Sequence, residues 1–143
     1  MPPAPILLES FDSAPASILE AVDAGLEEYN HSVAPLAEVR QLVTVARTDD
    51  GRLAGGAVGR TWGRCCELLQ LWVSAERRHQ GLGSMLLREF ESRGRDRGCD
   101  VFYLTTLSYQ APAFYLRHGY RALAEIKGYP DGIVKYLMLR GAA

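Results

Sequence analysis

Apolar positions recur with two different periods along this chain, and the changes between them predict its elements. Ile18, Leu19, Val22 and Leu26 fall three and four apart, predicting a helix from Pro15 to about Asn30, after a short strand at Ile6–Glu9. Gln41–Thr48 alternates partly and is rich in β-branched residues. Asp49-Asp50-Gly51 is a turn signal, and Leu53–Trp62 reads as the hairpin partner. A third strand, Glu67–Val73, precedes a helix from Leu82 whose inner face carries Met85, Leu86 and Phe90. On its outer side Glu89/Arg93 and Glu91/Arg95 have the spacing of exposed ion pairs, and Gly98 is a natural stop. Val101–Thr106 is a strand by composition, Ala111–His118 a short helix with Pro112 in its first turn, and Tyr120–Lys127 with Ile133–Arg140 a closing hairpin.

The order is that of a mixed α/β domain, and 143 residues make one ordinary domain with a real core. Hydrophobic content of 48% and charge of 23% fit a globular protein, and no apolar run of about 18 residues predicts a membrane span. The first residues lack a basic segment followed by a long apolar one, so no secretory signal is expected. Cys65, Cys66 and Cys99 show neither disulfide nor zinc spacing; no metal is expected, Cys99 reads as core, and a reducing cytoplasm is the expected compartment. Net charge is −1 but uneven: residues 1–50 carry nine acidic and two basic side chains, leaving the basic excess to the remainder. The basic cluster Arg93–Arg97 is small and interleaved with acids, so nucleic acid is not an expected partner.

The candidate chemistry sits in RRHQGLGSMLLREF, Arg77–Phe90, a glycine turn running into a helix. Free N–H groups at such a helix start attract an anion. The phosphate loop of nucleoside triphosphatases needs a GK[ST] ending, and no lysine is near; the dinucleotide pattern GxGxxG fails because Leu86 stands where its third glycine should be. What remains is Arg78-His79-Gln80-Gly81-Leu82-Gly83, a [QR]xxGx[GA] pattern directly after a strand. It resembles the acetyl-coenzyme A loop of the GNAT superfamily of N-acetyltransferases. Some thirty residues on, APAFYLRHGY (Ala111–Tyr120) is close to that superfamily's AxxLYxxxGF signature. Together the two motifs span Glu67–Tyr120, in the right order and spacing.

The resemblance implies a mixed, mostly antiparallel twisted sheet with a splayed central parallel strand pair, flanked by about four helices. It implies acetyl-CoA as co-substrate, its pyrophosphate on the amides of Gln80, Gly81, Leu82, Gly83 and Ser84, with Arg77, Arg78 and His79 adding charge. The pantetheine arm would pair with the backbone of Leu71, Trp72 and Val73, next to Phe114. Ser108 stands where the superfamily often has an asparagine that bonds this arm. Tyr115 matches the tyrosine that protonates the departing sulfur, and Glu67 lies where several members carry a catalytic base. A water chain is the alternative base. His118, at a helix C-terminus, reads as complementing the dipole.

The implied reaction is acetyl transfer to a primary amine by direct attack in a ternary complex. Glu27, Glu28, Tyr29 and Asn30, with Tyr129, Asp131, Trp62 and Trp72, would form an aromatic, acidic mouth suited to a cationic small molecule. A lysine or N-terminus of a protein is an alternative acceptor, and a CoA-binding sensor without turnover is the alternative of another class. The superfamily also makes a homodimer an expectation.

Overall fold

The computed structural model describes residues 1–141 and comprises two units, Met1–Leu36 and Ala37–Ala143. The first is built around helix α1, Ala16–Val33, which follows Pro15 and ends where the Ala34 N–H donates to the Asn30 carbonyl at 2.9 Å. Ile6–Glu9 forms no strand. Four residues need a neighbour to take their backbone hydrogen bonds, and the sheet recruits none of its strands from this segment.

The second unit is a six-stranded sheet: β1 (Arg40–Arg47), β2 (Leu53–Trp62), β3 (Cys65–Val73), β4 (Val101–Leu107), β5 (Arg121–Ile126) and β6 (Lys135–Gly141). Their order is β1-β2-β3-β4-β6-β5, antiparallel throughout except for β3 beside β4. Helix α2, Leu82–Asp96, joins that parallel pair, and α3, Pro112–Arg117, follows β4. Three α-helices and three short 3₁₀ turns thus stand, among the described residues, where about four helices were expected. None of the described helices is long and apolar enough to cross a membrane.

The core lies under α2. Leu87 and Phe90 are sealed against Ala57, Cys66, Phe102, Leu104 and Met138, each large side chain contributing about 1.5–3 kcal/mol. Cys99 is buried with them, as expected. Glu89 and Arg93 pair on the helix surface at 3.0 Å. Glu91 corrects the sequence reading, for it is not an exposed partner of Arg95. It is only 1% exposed, and its carboxylate accepts from the Tyr120 hydroxyl at 2.7 Å and from Arg140 at 2.8 Å. A buried charge needs such partners, and they lie on elements remote in sequence. Arg95 instead lies over the Phe102 ring, 5.7 Å from its centre.

Candidate active site

The site begins with a defect in the sheet. Val58 pairs with Gln70 and Gly59 with Leu68, leaving Leu69 as an unpaired bulge residue on β3. A bulge bends its strand and raises the local twist. Parallel pairing with β4 covers only Cys65–Val101, Cys66–Phe102 and Glu67–Tyr103 and stops just before the bulge. Beyond it β3 and β4 diverge. Gly59 permits this: a Cβ there would stand 2.0 Å from the Glu67 carbonyl oxygen and 2.5 Å from Phe90.

The gap is a cleft of about 1210 Å³. One wall is β3 from Leu68 to Val73; the other is Leu104–Thr106 with Tyr109–Ala111, and α2 and α3 close one end. The Ser74 N–H donates to Ala54 on the β2 side at 2.8 Å. By the alternation of an antiparallel ladder, Trp72 also turns its backbone to β2, while Leu71 and Val73 turn theirs to the cleft. One of these groups is engaged: Arg78 Nε donates to the Val73 carbonyl at 3.2 Å, fastening the glycine turn to the end of the strand.

The turn itself is shaped for close approach. His79 and Gly81 have left-handed backbones, with φ of 61° and 81°. Gly81 is the N-cap of α2 and no side chain caps the helix, so the amides of its first turn lack a side-chain acceptor. A Cβ on Gly83 would lie 3.6 Å from the Phe114 ring. Arg77, Arg78, His79 and Arg117 line this end of the cleft, and none of the second unit's described carboxylate side chains lines it.

Tyr115 projects from α3 into the same cleft. Its ring packs edge-on against Phe114 and Tyr120, at 5.1 and 5.8 Å between centres. No described residue hydrogen-bonds its hydroxyl, yet no buried side-chain oxygen is left unpartnered, so the hydroxyl opens to the cleft. Burial of the ring pushes the phenol up to about 12, so it stays protonated.

Of the residues the sequence points to, the structure gathers Leu71, Trp72, Val73, Arg78, His79, Gly81, Leu82, Gly83, Ser84, Phe114 and Tyr115 around this cleft. Gln80 lies outside it, its side-chain amide donating to the Glu76 carbonyl at 3.1 Å. Ser108 is also outside, its hydroxyl accepting from the Val134 N–H at 3.0 Å. Glu67 sits at the closed end of the splay, paired with Arg60 at 2.9 Å and beside Tyr103, whose phenol is raised by burial and by that carboxylate. Tyr129, Asp131 and Trp62 do not line the cleft, whereas Trp72 does. In the first unit Glu27 pairs with His31 at 3.5 Å.

Two residues escaped the sequence reading, and a third has a different role from the one expected. Gln110 lines the cleft, and its Oε1 accepts from the Leu107 N–H at 2.7 Å and the Thr106 hydroxyl at 3.3 Å. Tyr109 lines the cleft beside it, an exposed aromatic with no motif to mark it. His118 does not act as a dipole complement: its Nε2 lies 2.8 Å from Ser84 Oγ, and burial holds the ring below its ordinary value and therefore neutral near pH 7. The signal available for Gln110 was an amide placed just past a strand end, and for His118 the HGY ending of the second motif.

Residues 11–120 match the acetyltransferase (GNAT) family. The blasticidin-S acetyltransferase of Streptomyces morookaense is 41% identical over an alignment of 110 residues that covers 74% of this chain and 81% of that one. An acetyltransferase of Agrobacterium fabrum is 30% identical over 115 residues, 80% of this chain and 84% of that one. The crystal structure of an acetyltransferase from Bacillus cereus superposes with a TM-score of 0.78 at 26% identity, covering 94% of this chain and 98% of that one. With the splayed strand pair and the glycine turn already in place, these matches establish that the chain belongs to the GNAT family and is an acetyltransferase.

Proposed function

We propose that this enzyme moves the acetyl group of acetyl-CoA to the primary amine of a cationic small molecule. The observation that carries the reading is the open Tyr115 hydroxyl in the cleft between β3 and β4. The free amides at the start of α2 and the basic side chains around them suit the pyrophosphate. The Leu71 backbone and the Val73 N–H, free on the cleft side while Arg78 holds the Val73 carbonyl, suit an extended arm carrying amides of its own, which would lie there as a strand. The Leu71 N–H is then the donor that polarises the thioester carbonyl.

The steps balance without a resident metal or base. The amine, having lost a proton to water, attacks the thioester carbon and forms the C–N bond. The tetrahedral intermediate expels sulfur, and Tyr115 gives its proton to that thiolate as the C–S bond breaks. The proton left on the new amide nitrogen passes to solvent and the phenol regains its own. Water is the proton acceptor in this reading, since Glu67 is paired with Arg60 outside the cleft lining and is not assigned the role of base. Positioning two reactants accounts for about 7–11 kcal/mol in such reactions, and general acid help for about 10²–10⁴-fold.

Blasticidin S is the first acceptor to try, on the strength of the relative at 41% identity. The experiment is CoA-thiol release from acetyl-CoA with a panel of amines: blasticidin S, polyamines, amino sugars, and peptides with free lysine or N-terminal amines. Turnover confined to a small cationic amine supports the proposal. Turnover on peptides alone replaces the acceptor class, and CoA binding without turnover on any acceptor favours a sensor.

A further inference from the structure

His118 lies outside the lining of the cleft but touches a residue that belongs to it. Its Nε2 is 2.8 Å from Ser84 Oγ, in the first turn of α2. Its ring also packs, tilted by 53°, against Phe114, the aromatic beside Gly83, with 4.7 Å between ring centres. The histidine thus contacts, from the end of α3, the first turn of α2, a helix left without a side-chain cap.

We propose that His118 is a positioning residue for the pyrophosphate of the CoA group, holding the Ser84 hydroxyl so that its hydrogen points at the anion. The proposal rests on the reading of the cleft as an acetyl-CoA site. A serine hydroxyl has one hydrogen and can spend it on either neighbour. If the imidazole carries its proton on Nε2, it donates to Oγ, and the serine hydrogen is free for a phosphate oxygen. An anion at the α2 start selects this arrangement, because the opposite one turns a lone pair toward it. The ring must be neutral to leave the tautomer free to choose. The groups facing it are Glu91, which favours its cation, and Arg88, Arg140 and Arg117, which together with burial disfavour it. Ser84 would thereby add a side-chain donor to those of the backbone, and bonds to a charged group are the strong ones.

The test compares two ligands on the full chain: CoA, and pantetheine, which shares the thiol arm but lacks the pyrophosphate. Binding is read by calorimetry for the wild type, Ser84→Ala, His118→Ala, the double variant, and His118→Gln, whose amide nitrogen can replace the Nε2 donor. The expected result is an about tenfold loss of CoA affinity in each alanine variant, the size of one hydrogen bond to a charged group. The double variant should lose no more than either single one, as residues acting through one contact do. Pantetheine affinity should be unchanged in all, and His118→Gln should recover CoA binding. Unaltered CoA affinity in His118→Ala overturns the proposal. So does an equal loss for both ligands, which would mark His118 as a structural prop of α3. Wild-type protein that binds no CoA would overturn the acetyl-CoA reading itself, and this inference with it.

Discussion

Tyr120 and Glu91 form a buried pair, the phenol donating to the carboxylate at 2.7 Å while Arg140 holds the other oxygen at 2.8 Å. The pair joins α2 to the segment that leads from α3 into β5, and the Tyr120 N–H also donates to the Tyr115 carbonyl at 3.0 Å. Removing the phenol hydroxyl leaves the carboxylate its arginine, so Tyr120→Phe should cost about 1–3 kcal/mol. Arg140→Leu should cost more, at the lower end of about 3–5 kcal/mol because the arginine is partly exposed. Urea unfolding should rank the two in that order; equal stability in all three proteins would contradict the network's role.

Tyr115→Phe removes a hydroxyl that bonds no described residue, and the substitution keeps the packed ring. Stability should therefore stay within about 0.5 kcal/mol of wild type, the range of neutral substitutions. kcat should fall about 10²–10⁴-fold with KM little changed, the pattern of a group that acts only in the transition state. In difference titration, the wild type should show one phenol ionising near pH 12 that the variant lacks. A variant with wild-type kcat would remove Tyr115 from the chemistry.

Glu67→Gln tests the base. Its carboxylate lies outside the cleft and beside Arg60, so the expected fall in kcat is less than about tenfold, below the range of general base catalysis. A loss comparable to that of Tyr115→Phe would restore Glu67 to the mechanism.

Gly59→Ala puts a methyl 2.0 Å from a backbone oxygen, which only movement of the strand can relieve. It should destabilise by more than about 2 kcal/mol and weaken CoA binding, since the bulge aims β3 away from β4. Gly81→Ala meets no atom within 4 Å and faces only the penalty of its left-handed backbone, about 1–2 kcal/mol. Thermal melts that reverse this order would contradict the account of the bulge.

His118 also predicts a pH effect on stability. Its value is lowered in the folded state, so just below its ordinary 6.5 the unfolded chain binds more protons. Stability therefore rises with pH through that window and is lost as pH falls through it, down to the lowered folded value. Burial is the main cause of the lowering, opposed by Glu91 and reinforced by Arg88, Arg140 and Arg117. His118→Gln should flatten the stability profile between about pH 5 and 7 relative to wild type. An unchanged slope would show that His118 does not contribute to it.

The parts of the site that were legible in the sequence are those encoded locally. Gly81 and Gly83 open α2, and Tyr115 sits in a compact motif, so a reader of the chain alone can find both. Apart from the strand expected at Ile6–Glu9, which does not form, strand and helix boundaries followed from periodicity to within a few residues. What escaped depends on partners far away along the chain. Glu91 has helix-surface spacing, but its partner Arg140 lies 49 residues on, and only the packed fold shows the carboxylate facing inward. His118 and Ser84 are 34 residues apart. Glu67 has a plausible position, yet its cross-strand neighbour Arg60 claims it. Ser108 keeps the asparagine's place, but the Val134 backbone takes its hydroxyl. Spacing tells which strand a polar side chain is on, while the neighbouring strand decides what it bonds.

The most direct test of the account is the rate of thiol release from acetyl-CoA in the presence of the amine panel, with wild type and Tyr115→Phe side by side. The expected result is turnover on a small cationic amine, lowered at least about 10²-fold in the variant with CoA affinity retained. Equal rates in the two proteins, or no binding of acetyl-CoA to the wild type, would contradict it.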